Sequence, residues 1–487
     1  MAYRYGDRYQ MSLIPRSIEE FVPEDHAVRA YDAFIDSLDF KELGITIDPD
    51  KVGNSEYDPR AMFKLLVFGY SYGIQSSRKL EREAHNNMCF IWLTGGLKPD
   101  HKTIAEFRRK NKTVLKKIFR ESVKMCIGLK LIKGNILFVD GTKMRANASR
   151  DQTHTKAQYE RFLAKMDGRI KEVLQECEEK DRQEKGQGSW VKMDRELADK
   201  QKLKERIRKA LEEFGPDDTK TKTVNMTDLD CKIMHSRQGS HASYNVQSVV
   251  DDEHGFIVHA EPVSDTNDVR QFADQIDKAN DVLGTPCDIA CADAGYADTG
   301  ELEKIDAKGI TVIVPSQKQA LHYPKEDPFD KSHFVYDPGK DTYTCPEGHT
   351  LRHSFTSKNK GKRQYRMEDP DVCCLCPHFG QCTKSLRGRN IIRLRNEKIK
   401  RKLEAQFNEE SSRIIYNRRK TRSEPVFGHI KRNTKIVSFL LRGLDGVGAE
   451  TSIFSLCFNM TRAITILGVK KLIDVFKTPR MESMVPV

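Results

Sequence analysis

Two short apolar runs in this chain each stop on an aspartate. Residues 136–140 read ILFVD and continue GTKMRAN, and residues 287–293 read CDIACAD and continue AGYAD. Runs of this length and β-branched content predict core strands. A carboxylate leaving a core strand is costly unless it is hydrated, paired or bound to a cation. Asp140 and Asp293 occupy equivalent places, each at a strand end and each followed by a small residue. If the strands are neighbours in one sheet, the two anions lie side by side and repel. A divalent metal ion is the usual remedy. A third acid, Glu424, opens a helix in SEPVFGHIKRN, with Pro425 after it. Lys431 lies seven positions on, about two helical turns, so it shares a face with Glu424. Asp251, Asp265 and Asp268 are rival ligands near other element ends. Taken singly, an aspartate before glycine is also an ordinary turn former.

The segments around these acids differ in kind. Residues 18–120 predict short helices. Asp58 and Pro59 mark one start, SSRKLEREAHNNMCFIWL (76–93) repeats the design, and PDHKTIAEFRRKNK (99–112) ends basic. The pattern suits a helix-turn-helix-like DNA module, with Arg108 and Arg109 as DNA contacts, and suits a plain helical bundle equally. From 155 to 215 the chain is dense in Lys, Glu, Arg and Gln. Leu163, Met166, Ile170, Val173 and Cys177 keep helical spacing, as do Leu203, Ile207, Leu211 and Phe214, with GQGSW (186–190) between them. This predicts a helical hairpin inserted as a solvated coiled coil. Strand signals return at 241–262 around the turn DDEHG. A helix capped by Asn267 follows at 267–281, then the Asp293 strand, a helix at 299–309 and a strand at 310–316. Strand, hairpin, helix, strand, helix, strand predicts an α/β layer with a mixed sheet. The chain is helical again from about 396 to 475.

Charge adds a second constraint. The chain carries 83 Lys and Arg against 71 Asp and Glu, a net +12. Between Lys384 and Lys435 there are 17 basic and five acidic residues, so this stretch alone holds an excess of 12. A block so concentrated points to a phosphate-binding surface over a solvated helical face. No run of about 18 uncharged apolar residues occurs. Residues 451–469, the most apolar late stretch, are interrupted by Asn459 and Arg462 and predict a packed helix. MAYRYGDRYQM at the start lacks a signal-peptide core. A cytosolic chain is expected, with its 12 cysteines reduced.

Five of those cysteines lie within 345–382, in CPEGH and CCLCPHFGQC. Cys373 and Cys376 form a CxxC, and Cys345 and Cys382 complete a thiolate set of the zinc-ribbon kind. His349, Cys374 and His378 are spare donors. Reduced cysteines in a small β insertion are the plain alternative.

FVDGTKMRANAS, HASYNVQSVVD, ADAGYAD and EPVFGHIKRN, in this order, resemble the DDE transposases of bacterial insertion sequences. The similarity is to the group related to insertion sequences four and five, with its helical PDHKTIAEFRR-type start, and covers about residues 20 to 470. The resemblance implies an RNase-H-like α/β core, a mixed sheet flanked by helices, whose acids Asp140, Asp293 and Glu424 bind two Mg2+ or Mn2+ ions. It implies phosphate-holding roles for Tyr416, Arg419 and Lys431. Tyr416 and Arg419 sit one residue further from Glu424 than the family pattern, where Asn417 and Lys420 fall, so Lys420 is a candidate as well. Tyr244, Asn245 and Gln247 fill another family signature, as a strand that supports Asp140 or contacts DNA. The Cys-rich segment suits an insertion between the second and third acids, with a structural Zn2+.

The implied organisation is a helical DNA-binding domain over 1–130, a catalytic core from 131–150, 225–325 and 396–475, a helical-hairpin insertion over 151–224 and a Cys-rich insertion over 326–395. The expected partners are double-stranded DNA, as element ends and target, and a second copy of the chain that synapses two ends. The expected location is the bacterial cytoplasm, at the nucleoid. The rivals are a metal-dependent nuclease that cuts without joining and a non-catalytic DNA-binding protein derived from a transposase.

Overall fold

The computed structural model describes residues 17–47, 56–183, 190–215, 218, 222–236, 239–320, 328–357 and 361–477. The N-terminal run MAYRYGDRYQM and all of GQGSW but Trp190 lie outside them, as do the side chains of Val173 and Cys177. The chain divides into two compact units. The first holds residues 1–268, 274–287 and 419–487, and the second holds 269–273 and 288–418. The N-terminal helices thus share one unit with the first strands and the C-terminal helices.

In the first unit the helices begin where their caps dictate. Asp58 accepts a hydrogen bond from the Arg60 N–H at 2.9 Å, with Pro59 at the first helical position of Pro59–Ser71. Asp100 accepts from Thr103 N at 2.7 Å and starts His101–Lys110. The 76–93 stretch is two helices, Ser77–Asn86 and Met88–Leu93. Asn87 takes extended backbone between them and caps the second through the Cys89 N–H. The long helix Gly443–Leu467 is buried over most of its length and packs against Pro59–Ser71 and Lys112–Gly128. Its apolar residues, Ile453, Phe454 and Met460 among them, form a packed core, as expected for 451–469. No single described helix is long and apolar enough to cross a membrane.

The strands of this unit are β1 (Ile136–Arg145), β2 (Thr153–Thr155), β3 (Thr223–Asn225), β4 (Lys232–Ser236), β5 (Gly239–Asp251) and β6 (Ile257–Val263). β5 pairs antiparallel with β1, β4 and β6. The DDEHG turn joins β5 to β6, with Gly255 N donating to Asp251 O at 3.1 Å. The strand expected to end at Asp140 runs on for five more residues. β5 is 13 residues long and supplies partners throughout, from Leu137 opposite Asp251 to Arg145 opposite Ser243. Asp-Gly reads locally as a turn, but the long partner strand overrides it.

Between β1 and β4 the helices Lys156–Gln183 and Trp190–Glu212 form the expected hairpin. Tyr159, Ile207, Ala210 and Phe214 are buried at its base, flanked by Leu163, Met166, Leu203 and Leu211. The antiparallel pair β2–β3 closes its neck.

The second unit contains β7 (Ile289–Ala292) and β8 (Thr311–Ile313), which pair in parallel, with helix Thr299–Asp306 between them. The helix expected over 267–281 spans Phe272–Leu283, because the Asp268 side chain is engaged by β5 instead. A separate antiparallel sheet runs in the order β13 (Asn390–Leu394), β12 (Lys362–Met367), β11 (Thr350–Ser357), β10 (Thr342–Thr344), β9 (Val335–Asp337). One face buries Tyr343, Leu351, Tyr365, Met367 and Ile391. The fold is therefore mixed α/β, with antiparallel strands in the first unit, a parallel pair and a separate antiparallel sheet in the second, and a helical start.

Candidate active site

Asp140 lies midway along β1, after the fully buried Leu137, Phe138 and Val139. Strand alternation puts its side chain on the same face as that of Thr142. Its Oδ1 accepts the Gly141 N–H at 2.9 Å. Its side chain is only 14% exposed, and Arg419 Nη1 approaches its Oδ2 to 3.9 Å. The same guanidinium turns Nη2 to Glu424 Oε1 at 3.3 Å.

Local chemistry holds that arginine in place. Helix Glu410–Arg422 stops before the buried Ser423, whose N–H and hydroxyl both donate to Arg419 O, at 3.0 and 3.2 Å. Pro425 cannot donate to a continued ladder, so a new helix starts at Glu424 and runs to Gly428. Arg422 reaches Asp252 at 3.5 Å and ties the junction to the β5–β6 turn.

A π-helical turn, His429–Asn433, follows and carries Lys431. Its ammonium donates to Thr142 Oγ1 at 2.5 Å and Lys143 O at 3.0 Å. Burial holds the Lys431 pKa below the usual lysine value, while the negative charge of Asp140 works in the other direction. Gly73 lets another turn lie against this one. Its φ is +72°, and a Cβ there would come within 2.1 Å of Thr434 O.

Asp293 belongs to the second unit. It follows β7 directly and caps the short turn Ala294–Tyr296 through Gly295 N at 2.7 Å, the place expected of it. Tyr416, in the same unit, packs edge-on against Phe407.

Other candidates from the sequence have different roles. Arg108 is 5% exposed and donates to Tyr70 Oη and Gln75 O, so it is a buried structural residue and not a DNA contact. Arg109 is exposed and makes a bidentate surface pair with Glu106, which leaves its expected DNA contact a proposal. Tyr244 is fully buried and donates to Asp228 at 2.6 Å, where burial pushes the Asp228 pKa up. Asn245 and Gln247 are also buried, and both donate to Asp268 Oδ1 at 2.7 Å. They pair in register with Lys143 and Gly141, on the face of β1 opposite to Asp140, so they neither support its carboxylate nor face DNA. Of the two basic residues that could fill the family position, Arg419 meets the acids and Lys420 is exposed. Thr142 is the site residue that the sequence reading passed over. The period-two spacing from Asp140 was its available signal.

The arrangement in the first unit is two carboxylates turned to one cationic group, with an ammonium beside the first. The Arg419 guanidinium lies between Asp140 and Glu424. Among the described residues, no group of three or more His, Cys, Asp or Glu side chains is placed to hold a metal ion.

In the second unit Cys345, Cys373, Cys376 and Cys382 line one cavity of about 30 Å3, with His349 and His378. Cys345 Sγ accepts from His349 N at 3.3 Å, and Cys373 Sγ from Arg389 N at 3.4 Å. His378 pairs with Glu347 at 3.1 Å, and Cys374 points elsewhere, toward Leu386 O. Burial raises the Cys382 thiol pKa. Cys345, Cys373, Cys374, Cys376 and Cys382 form no disulfide.

Two family models match the sequence. One, described as a transposase domain (DUF772), spans residues 16–110, and one described as a transposase DDE domain spans residues 344–464. No curated protein matches. Among solved structures, a pre-cleavage Mos1 transpososome aligns over 56% of this chain and 64% of its own, at 9% identity and a TM-score of 0.15. A piggyBac transposase synaptic complex with hairpin DNA aligns over 95% of this chain and 87% of its own, at 9% identity and a TM-score of 0.25. Likeness at this level carries no argument about geometry.

Proposed function

Starting from a chain that belongs to the DDE transposases over the segments those models match, we propose that it cleaves the ends of its own insertion element and joins them to target DNA. Asp140, Asp293 and Glu424 are the acids of this reading. The observation that carries it is Arg419, one cation shared by Asp140 and Glu424 across 284 residues of sequence.

Divalent ions held by these acids would supply Lewis-acid activation of a water or a DNA 3′-hydroxyl and of the leaving oxygen. The chain's own groups do the rest. Asp140 is fixed by its strand and by the Gly141 N–H, so its carboxylate needs little reorganisation. Lys431 is held against the same strand by Thr142 and the Lys143 carbonyl. There its charge can neutralise a phosphate oxygen beside Asp140. Arg419 can exchange its carboxylates for a phosphate, a bidentate partner its guanidinium fits equally well. The partners are double-stranded DNA and, for synapsis of two ends, a second copy of the chain at the bacterial nucleoid. The four cysteines that line one cavity are read as ligands of a structural zinc, outside the chemistry, and a zinc there would have to draw them into a ligand set that they do not form in this structure.

The test is cleavage of a labelled duplex carrying the element's terminal repeat, with magnesium or with chelator. Magnesium-dependent nicking at the end is expected, lost in Asp140→Ala, Asp293→Ala and Glu424→Ala while end binding persists. Nicking without joining to a target plasmid would favour the nuclease. Binding with no cleavage in the unaltered protein would favour a non-catalytic DNA-binding protein.

A further inference from the structure

The five-stranded sheet of the second unit has two different faces. The inner one holds Leu351, Tyr365, Met367 and Ile391. Cross-strand register defines the outer one. Arg352, Arg366 and Asn390 form one row across β11, β12 and β13, and Phe355, Gln364 and Ile392 form the next. Ser354 is bulged between the rows, which returns Phe355 to the outer side. Phe355 is 59% exposed and Ile392 49%, so an aromatic ring and an aliphatic side chain stand in water on either side of the Gln364 amide.

Beside Arg366 is a cleft of about 250 Å3, whose lining also includes Thr383, Ser385, Arg387 and Asn390. Among the described residues no carboxylate lines it. Among the described residues neither the Arg366 nor the Arg387 guanidinium has a hydrogen-bond or ion-pair partner. Arg389 lines the cleft too, but its guanidinium is spent on Cys382 O and Phe329 O. The rim is a built turn. Ser385 Oγ accepts the Arg387 N–H, Gly388 N donates to Ser385 O, and Gly388 sits at φ +77° where a Cβ would press on Met367 at 3.2 Å. Elsewhere on this face charges are balanced: Arg352 pairs with Glu368 at 3.1 Å, and Asp337 lies at the far edge.

Two guanidiniums in one cleft without a counter-charge call for a polyanion, and their fork geometry matches a phosphodiester. A polyanion alone does not account for Phe355 and Ile392. Unpaired nucleotides account for both, because a base stacks on an exposed ring while its backbone follows the basic groove. A duplex keeps its base faces stacked inside and offers a flat sheet only phosphates.

We propose that the outer face of this sheet binds an unpaired DNA strand. A phosphate lies in the Arg366–Arg387 cleft, a base lies on Phe355, and the Gln364 and Asn390 amides meet base edges. The choice of DNA rests on the transposase reading, and the surface is separate from the acids.

The experiment is fluorescence anisotropy of the full chain, in chelator, with a short labelled single strand and with the same sequence as a duplex, over a salt series. Phe355→Ala is expected to weaken single-strand binding about tenfold or more, with duplex binding and salt slope unchanged. Arg366→Ala with Arg387→Ala is expected to weaken single-strand binding and to lower the salt slope by about 0.7, the value for one phosphate on a single strand. Phe355→Trp is expected to retain binding. Unchanged single-strand binding in both variants overturns the proposal. An equal loss on duplex and single strand also overturns it, leaving a backbone contact without base stacking. Magnesium-dependent cleavage, assayed separately on the terminal duplex, stays dependent on Asp140 in every case, so loss of one reading is distinguishable from loss of the other.

Discussion

Arg419 and Glu424 face each other at 3.3 Å across the break between two helices, and the same guanidinium reaches back toward Asp140 at 3.9 Å. The arginine keeps two acids from repelling one another. Replacing it with glutamine removes that cation and leaves the carboxylates to find another. Because Glu424 is half exposed, the loss is small, about 0.5–1 kcal/mol. A divalent ion is then expected to raise the melting temperature more in Arg419→Gln than in the unaltered chain, since it binds only the folded form. Thermal denaturation in chelator and in magnesium measures this. Equal shifts in the two proteins would mean that Arg419 and the ion do not share a site.

Glu450 is fully buried in the helix Gly443–Leu467 and bonded on every side. Tyr70 Oη donates to it at 2.7 Å, and the N–H groups of Leu440 and Leu441 donate at 2.7 and 2.8 Å. Arg108 donates in turn to Tyr70. The chain of bonds ties the N-terminal helices to the segment whose Phe439 N–H meets the end of β1 at Arg145 O. Glu450→Ala strands two backbone donors and a phenol. The expected cost is about 3–5 kcal/mol, read as a fall in the urea midpoint at constant slope. Glu450→Gln, which keeps an acceptor, is expected to lose less. A cost below about 1 kcal/mol would show that water replaces the carboxylate at this position.

This network also shows where the sequence was legible and where it was not. Asp58-Pro59 and the DDEHG turn are local signals, and each sits where the sequence places it. So do Leu163, Met166, Leu203, Ile207, Leu211 and Phe214 of the helical-hairpin stripes, because a 3.6-residue period needs no distant partner. Arg108 was read as a surface cation because it ends a basic helix. Only Tyr70 and Glu450, the latter 342 residues away, explain its burial. Asn245 and Gln247 were placed beside the acid. Their parity with Gly141 and Lys143 in the β1–β5 register turns them away from it, and register is set by pairing that one strand cannot reveal. Asp140 was recognised, yet its strand was cut short, since Asp-Gly signals a turn and the 13-residue partner of that strand lies about a hundred residues on.

Glu261 on β6 provides a test by pH. Burial would raise its pKa, but His259, Lys278 at 2.5 Å and Gln275 at 2.7 Å outweigh burial and hold it at about 2, below the ordinary 4.5. A carboxyl whose folded pKa is depressed stabilises the fold above its unfolded pKa, and that contribution is lost as pH falls through the folded value. The window therefore runs from about 4.5 down to about 2. Glu261→Gln is expected to be less stable at neutral pH and to show a shallower loss across this window. Denaturant midpoints measured at a series of pH values decide it. Parallel curves for the two proteins would remove Glu261 from the acid response.

The thiol cavity is tested by metal removal. Cys345, Cys373, Cys376 and Cys382 are among the residues that line a space of about 30 Å3, and backbone N–H groups donate to two of the sulfurs. Zinc binds cysteine as the thiolate. The sheet beside the cavity draws its core from few residues, Cys373 among them, so metal bound there would stabilise the whole insertion. About one zinc per chain is expected by elemental analysis of the purified protein. Chelation is expected to expose 335–394 to protease while the helices of the first unit stay protected. Cys376→Ser should reproduce both effects without chelator. Protein free of zinc and equally resistant to protease would leave these cysteines as ordinary packing residues, held together by Phe334, Tyr343 and Tyr365.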